Sequence, residues 1–318
     1  MNIAMCFLAG LALVLGSAHA QDYPSRQIQI IVPFAPGGGT DIVSRTVAAK
    51  MTESWKVPVI VDNRPGGNTI IGAQLAARAA PDGYTLFVAI DSTLAMNQSL
   101  YAKLPYDPIK DFAPVTLAIS QPMVLAVHPS VKANSVKDLI ALAKAKPGQI
   151  AYAQGALPAQ IAGELFKSAA GVDLIGVPYK GSGPAMNDVV GGSVPVIFDA
   201  LGPAASFIKA GKVRALAVTS AEPAAALPGV PTMAQSGLAG FDLVTWIGFL
   251  VPSGVNREIV SKLNAELVRI LNLPDTKERF AGMGMTVIAS SPDQFAQTIK
   301  SDAAKFDRII KSAGIKVE

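Results

Sequence analysis

The sequence has very few residues with thiol or imidazole side chains. A single cysteine, Cys6, and two histidines, His19 and His128, occur among 318 residues. A disulfide needs two cysteines, and metal sites and catalytic relays are usually built from several Cys or His groups. Because Cys6 and His19 lie in the first twenty residues, only His128 remains in the rest of the chain. We therefore expect no metal, no cofactor and no catalytic relay.

Charged residues are also scarce. Asp, Glu, Lys and Arg make up 16% of the chain, hydrophobic residues make up 50%, and the formal net charge is +4. The Lys and Arg residues are scattered, so the sequence lacks the basic patch that binds nucleic acid. The high apolar content excludes an intrinsically disordered chain. The length is sufficient for two domains of ordinary size.

The first twenty residues contain no charged side chain. An apolar run at 4–15 is followed by Ser17-Ala18-His19-Ala20, with small residues where a signal peptidase requires them. This pattern predicts an export signal over 1–20 that is cleaved after Ala20. A membrane anchor is the alternative, but the run is shorter than the roughly 20 apolar residues of a spanning helix. No later stretch is long enough to cross a membrane.

Short apolar strands alternate with helical patterns along the remaining chain. Runs of Val, Ile and Leu are typical of strands buried on both faces, and the alternation predicts an α/β fold with mostly parallel sheets flanked by helices. The predicted strands are 27–34, 58–63, 85–90, 115–119, 123–128, 149–153, 174–179, 194–199, 213–219, 246–251 and 285–289. The predicted helices begin near Thr40, Thr69, Ser135, Ala159, Pro184 and Ala204.

A further helix is predicted at the end of the chain. The motif Ser291-Pro292-Asp293-Gln294 is a capping box with proline at the first helical position. The apolar residues Phe295, Ile299, Phe306 and Ile310 follow at helical spacing. We expect this face to pack against a sheet.

Two places suggest that the chain crosses between two lobes. The predicted strands 115–119 and 123–128 are separated only by Ser120-Gln121-Pro122, and the strand 246–251 follows a proline-rich stretch. These two crossovers would place residues 21–120 and 246–318 in the first lobe and residues 121–245 in the second. Two crossovers make a hinge with a cleft between the lobes, which is a common position for a ligand.

The stretch VPFAPGGGTD, from Val32 to Asp41, joins the first predicted strand to the first helix. Glycine lets a ligand approach the backbone, and the start of a helix presents free N–H groups and a partial positive charge. Together these features predict an anion site. A nucleotide loop is not supported, because no lysine follows the glycines and their spacing differs from the dinucleotide pattern. An ordinary tight turn remains the alternative.

A second stretch, VPYKGSGPAMND from Val177 to Asp188, repeats this plan in the second predicted lobe. The two loops would face each other across the cleft, and Lys180 adds a cation, unless it simply extends into solvent. One helix start stabilises an anion by about 0.3–1 kcal/mol. Micromolar binding requires about 8 kcal/mol. We therefore expect the two loops to act together on one ligand.

Polar side chains also follow other predicted strands. The carboxyl ends of strands form the ligand crevice in α/β sheets, so these side chains could hydrogen-bond a small polar ligand. Helix capping is the alternative for each of them. The candidates are Asn68, Ser92, Gln154 and Asp199.

Longer segments of the sequence resemble a known family. They include YPSRQIQIIVPFAPGGGTD, VDNRPGGNTIIGAQLAARAAPDGYTL, GVPYKGSGPAMNDVVGG, GKVRALAVTS and LPGVPTMAQSG. These segments are similar to Bug-type solute receptors of tripartite tricarboxylate transporters, and the resemblance covers essentially all of the chain after the predicted signal. It implies the two-lobed type II periplasmic binding protein fold, a small carboxylate ligand, and the membrane subunits of a transporter as partners.

In receptors of this family, the loop after the first strand and a loop in the second lobe grip a carboxylate, largely through backbone amides and ordered waters. The resemblance therefore implies ligand contacts from both glycine-rich loops. The implied residues are Phe34, Ala35, Gly38, Gly39, Thr40 and Asp41 in the first loop, and Tyr179, Lys180, Gly181, Ser182 and Gly183 in the second.

One loop departs from the family pattern. Members often carry a polar Gly/Ser-rich loop with a histidine, whereas this chain reads GALPAQIAGELF, with Leu157 and Gln160. This difference suggests a less hydrophilic ligand, either an aromatic or a short aliphatic monocarboxylate. We expect a monomeric periplasmic receptor that is not an enzyme. A periplasmic sensor is an alternative function, and a hydrolase that uses the glycine loop is another.

Overall fold

The computed structural model describes residues 23–314, and the predicted export signal over 1–20 lies outside the described residues. The strands are β1 (Ile28–Val32), β2 (Val59–Asn63), β3 (Thr85–Ile90), β4 (Phe112–Val127), β5 (Ala151–Gln154), β6 (Ile175–Pro178), β7 (Val196–Ala200), β8 (Arg214–Val218), β9 (Val244–Pro252) and β10 (Thr286–Val287). The helices are α1 (Gly39–Trp55), α2 (Ile70–Ala77), α3 (Asn97–Leu100), α4 (Val136–Ala145), α5 (Leu157–Ala170), α6 (Ser182–Val190), α7 (Leu201–Lys209), α8 (Arg257–Leu271), α9 (Pro274–Gly282) and α10 (Pro292–Ala313), and a π-helical segment (Ser92–Met96) precedes α3.

The strands form two sheets that are joined through β4. In the first sheet, β1 pairs in parallel with β2 and β3, while β3 and β4 each pair antiparallel with β9. In the second sheet, β5 pairs in parallel with β6 and β7, while β7 and β8 each pair antiparallel with β4. The prediction of a two-lobed α/β fold is confirmed. The sheets are mixed rather than mostly parallel, because β4 and β9 run opposite to the parallel strands beside them.

The strands predicted at 115–119 and 123–128 are in fact one strand of 16 residues, β4. The predicted break was wrong because the backbone stays extended through Pro122, which lacks an N–H group. Pro122 is the last β4 residue to pair with β9, and Met123 is the first to pair with β7. A proline is tolerated at such a change of pairing partner. The lobe boundaries at 120/121 and 245/246 stay a prediction.

Both faces of each sheet are covered by helices and loops. On β4, Val124 and Leu125 are neighbours in sequence and point to opposite faces, as strand geometry requires. Val124 packs in a cluster with Met186 and Ile197, whereas Leu125 packs in a cluster with Phe198. Two further clusters cover the faces of the first sheet. The central strands are therefore buried on both sides, in agreement with their apolar sequences, whereas the edge strands β2 and β6 are partly exposed.

Helix α10 packs against both sheets. Its predicted capping box is present, and its predicted apolar face is buried. Phe295 and Ile299 pack with Trp246 on the first sheet, but Phe306 and Ile310 belong to a core cluster of the second sheet. The helix therefore connects the two lobes, as β4 and β9 do. We had expected it to pack against one sheet only.

The other predicted helices begin where α1, α2, α4, α5, α6 and α7 begin, within three residues. Helices α3, α8 and α9 and the π-helical segment were not predicted. Within residues 23–314, no helix has both the length and the apolar character needed to cross a membrane.

Phe295→Ala should destabilise the junction between α10 and the first sheet. The Phe295 ring is fully buried and stands edge-on to Trp246, with 5.3 Å between ring centroids. It also fills the space above Gly248, where an added Cβ would lie 2.1 Å from the ring. We expect a loss of about 3–5 kcal/mol in unfolding free energy, measured by urea denaturation.

Phe207→Ala is the matched control, because Phe207 is only partly buried at the edge of its cluster. A loss for Phe295→Ala no larger than the loss for this control would contradict the packing role.

Candidate ligand-binding cleft

Two glycine-rich loops, one from each lobe, are in direct contact. The backbone N–H of Ala35 donates to the carbonyl of Lys180 at 3.0 Å. A Cβ added to Gly183 would lie only 2.3 Å from the carbonyl oxygen of Pro36. We call residues 35–39 the first glycine loop and residues 179–183 the second glycine loop. Because their backbones touch, the structure shows the lobes in a closed arrangement.

Next to this contact lies a space that we call the main cleft. Its empty volume is about 510 Å³, including the part open to solvent. Its walls come from both glycine loops, from the crossover strands β4 and β9, and from the starts of α5 and α7. The lining residues are Phe34, Gly38, Gly39, Thr40, Ile90, Gln121, Met123, Gly155, Ala156, Pro158, Ala159, Ser182, Asp199, Ala200, Pro203, Thr245 and Ile247.

Four helices begin at the main cleft, and none of them is capped by the side chain of its own N-cap residue. Their N-cap residues are Gly38 for α1, Ala156 for α5, Gly181 for α6 and Ala200 for α7. Away from the cleft, α4, α8 and α10 are capped by Ser135, Asn256 and Ser291. An uncapped start leaves backbone N–H groups in need of an acceptor. The cleft is therefore suited to an anion.

Asp199 has the only ionisable side chain among the lining residues of the main cleft. Its carboxyl group accepts a hydrogen bond from the N–H of Ala200 at 2.9 Å and another from the hydroxyl of Ser182. Burial raises the pKa of Asp199 to about 7. Near neutral pH the group is therefore partly protonated, and the protonated form does not repel an anion. With no basic side chain in the lining, one ligand charge is accommodated more easily than several.

Asp41 does not line the main cleft. Its carboxylate accepts hydrogen bonds from the N–H of Gly37 at 3.1 Å, from Arg45 at 2.9 Å and from Asn63 at 3.1 Å. Burial acts to raise the pKa of Asp41, but the hydrogen bonds from Arg45, Gly37 and Asn63 hold it below the usual value. An ionised Asp41 therefore stabilises the conformation of the first glycine loop through its hydrogen bond to Gly37.

An outer cleft opens beside the main cleft and shares Phe34, Gly155 and Ala156 with it. Its empty volume is about 820 Å³, including the part open to solvent. The outer cleft is more polar, and the exposed Lys180 lies at its wall. The predicted site residues that line it are Phe34, Asn68, Ser92, Tyr179 and Lys180.

Most of the predicted site residues lie in one of three places: the outer cleft, the main cleft, or the contact between the two glycine loops. Those in the main cleft are Phe34, Gly38, Gly39, Thr40, Ser182 and Asp199. Ala35, Gly181 and Gly183 form the contact between the loops. Gln154 lines neither cleft, and its buried side-chain oxygen has no hydrogen-bond partner within the described residues.

The sequence analysis missed the lining residues that the crossover strands supply. Gln121 and Met123 come from β4, and Thr245 and Ile247 come from β9. A signal for Gln121 was present, because it is a polar residue at a predicted crossover.

A family model described as "Tripartite tricarboxylate transporter family receptor" matches residues 43–315. The chain belongs to this family. It is 36% identical to the protein BugT of Bordetella pertussis over 313 residues, which cover 98% of this chain and 95% of BugT. The predicted resemblance to Bug-type receptors is thereby confirmed.

Solved structures agree with the family assignment. The structure of the periplasmic binding protein BugD superimposes with a TM-score of 0.89 and 33% identity, covering 93% of this chain and 100% of BugD. A protein of R. palustris with adipate superimposes with a TM-score of 0.90 and 33% identity, covering 93% of this chain and 99% of that protein. The receptor has the two-lobed periplasmic binding protein fold.

Gly183→Ala should prevent the glycine loops from closing. The new Cβ would meet the backbone of Pro36, which cannot move aside as a flexible side chain could. We expect affinity for a bound acid to fall roughly tenfold or more, equivalent to about 1.4 kcal/mol. The melting temperature of the free protein should stay the same, because the clash arises only between lobes. Calorimetric titration with benzoate and adipate measures the affinity.

Gly282→Ala is the control for this variant, because its added Cβ meets no atom within 4 Å. Equal affinities of the Gly183→Ala and Gly282→Ala proteins would show that loop contact is unnecessary for binding.

Asp199→Asn should remove a pH dependence of anion binding. Because burial raises the pKa of Asp199 to about 7, the protonated form predominates below that pH, and the affinity for an acid is lost as pH rises through it. If only the protonated form binds, wild-type affinity falls about tenfold from pH 6 to pH 8 by linkage. The neutral Asn should make the affinity constant over this range.

The pH dependence of Asp199 should be measured through ligand affinity. Folding stability also changes with the titration of a second buried acid, Asp91. Burial also raises the pKa of Asp91 to about 7. Both raised acids make the folded state lose stability as pH rises from about 4 to 8. Asp91 is absent from the lining of the main cleft. An identical pH profile of affinity in wild type and Asp199→Asn would contradict the role of Asp199.

Proposed function

We propose that this receptor captures a small carboxylate in the main cleft and presents it to the membrane subunits of a tripartite tricarboxylate-type transporter. The observation that carries this proposal is the direct contact of the two glycine loops beside four helix starts whose own N-cap residues provide no side-chain cap. An anion at these N–H groups would be held by both lobes at once. The relative with adipate, which shares the fold along nearly its whole length, supports a carboxylate as this anion.

The shape of the cleft supports a ligand with an apolar body. The start of α5 contributes Gly155, Ala156, Pro158 and Ala159, so this wall has no side chain that can hydrogen-bond. Phe34 adds an aromatic surface. A second or third carboxylate would lie against these groups without a cation to balance it. We therefore propose an aromatic or short aliphatic monocarboxylate as the ligand.

The proposal is binding without chemical change. The lining of the main cleft includes hydroxyl groups but no Lys, His or Cys, so the Ser182 hydroxyl has Asp199 beside it in place of the usual histidine or lysine base. The one histidine of the described residues, His128, bonds to Ser130 at 2.7 Å and lines neither cleft. Export through the predicted signal over 1–20, a periplasmic location and a monomeric state belong to the same proposal.

A thermal-shift screen tests both the receptor function and the ligand class. We expect benzoate and hexanoate to raise the melting temperature, and citrate to have little effect. At a concentration of 100 times the dissociation constant, a ligand stabilises the folded state by about 2.7 kcal/mol. For a protein of this size that corresponds to a shift of roughly 5 °C. Calorimetry on each positive acid then gives its affinity, and chromatography of the recovered acid shows whether it is unchanged.

The uncharged benzamide and hexanamide are the matched controls, because they keep the apolar body and lose the anion. Tight binding of citrate without binding of benzoate or hexanoate would overturn the ligand class. An absence of binding for every acid, including adipate and malate, would overturn the receptor function itself.

A further inference from the structure

Gln121 occupies a special position at the junction of the two lobes. It lies on β4 opposite Thr245 of β9, one residue before the end of that pairing. Its side chain is 2% exposed and lines the main cleft. Its oxygen Oε1 accepts a hydrogen bond from the N–H of Gly202 at 2.9 Å. Since Ala200 gives α7 no side-chain cap, Gln121 supplies an acceptor for the start of α7 from another strand.

This hydrogen bond determines which way the Gln121 amide group points. The backbone N–H of Gly202 can only donate, so the Gln121 oxygen must face it and the Nε2 group must face away. Nε2 lies 3.2 Å from the position that a Cβ on Gly39 would occupy. The amide donor is thus placed beside the first residue of α1.

The Nε2 group is a donor without a protein acceptor. The only hydrogen bond of the Gln121 side chain to the described residues is the one through Oε1. Because Gln121 lines the main cleft, a water molecule or a ligand oxygen in the cleft can accept from Nε2 and satisfy it. Nε2 lies beside the N–H groups at the uncapped start of α1, so an acceptor bound there would satisfy side-chain and backbone donors together.

We propose that Gln121 donates its amide N–H to the carboxylate of the bound ligand, while its amide oxygen continues to hold the start of α7. The inference rests on the proposed function and adds a specificity-determining residue to it. Because α1 belongs to the first lobe and α7 to the second, one side chain on the crossover strand contacts both lobes and the ligand. Binding of the anion thereby stabilises the closed arrangement.

Gln121→Glu separates the two contacts of this side chain. The substitution keeps the length and an oxygen that can accept from Gly202, but it replaces the amide donor by a second carboxylate oxygen. Affinity for benzoate and hexanoate at pH 7 should fall at least about tenfold. Affinity for benzamide should change much less, because its amide can donate to Glu at this position. The melting temperature without added acid should stay close to that of wild type.

Gln149→Glu is the control for the added charge, since Gln149 is exposed and lines neither cleft. If Gln121→Glu does not fold, Gln121→Met provides the second variant, which has a similar length, no charge and no donor. It should likewise lose affinity for the two acids more than for benzamide.

Each calorimetric outcome decides the inference. Acid affinities of Gln121→Glu equal to those of wild type would overturn it and leave the proposed function standing. Equal losses for the acids and for benzamide would also overturn it, because they would indicate a changed cleft shape instead of a lost donor. If wild type binds none of the acids in the thermal-shift screen, the proposed function fails and the inference fails with it. Selective loss for the acids supports both.

Discussion

The close approach of two backbones is the contact on which the rest of the site depends. The first and second glycine loops meet at Gly183 and Pro36 with no room for a side chain. Because the contact is made by backbone, the helices that follow the loops, α1 and α6, begin immediately beside it. The N–H groups at these helix starts are thereby brought to one place, and an anion can replace side-chain caps of the kind that α4, α8 and α10 carry.

Within the described residues, three elements connect the lobes, and they differ in how they respond to motion. Strands β4 and β9 pair with each other up to Pro122 and Val244. The two strands can therefore bend together near these residues, where their pairing ends. Helix α10 is different because Phe306 and Ile310 are buried in the core of the second lobe. Opening of the cleft therefore requires α10 to move with one lobe relative to the other, and this restricts the path that the lobes can follow.

Local features of the site were predictable from the sequence, and long-range ones were not. The glycine loops and the helix starts follow from the spacing of glycine and apolar residues within short segments. The role of Gln121 depends on Gly202, which is 81 positions away in the chain, and no local pattern reports that distance. Periodicity identified the apolar face of α10, but it does not say which sheet that face meets. Asp41 was expected at the ligand, yet its partners Arg45 and Asn63 turn it away from the cleft.

The helix starts that lack a cap from their own N-cap residue also influence whether the lobes close without a bound ligand. If the lobes close without an anion, the free N–H groups at these helix starts and the Gln121 amide are left with only the water of the cleft as acceptor. Any donor that closure buries without an acceptor costs about 1–3 kcal/mol, so a bound anion favours the closed state. A membrane partner that recognises only the closed surface would therefore interact mainly with loaded receptors, and unloaded copies would compete little for it.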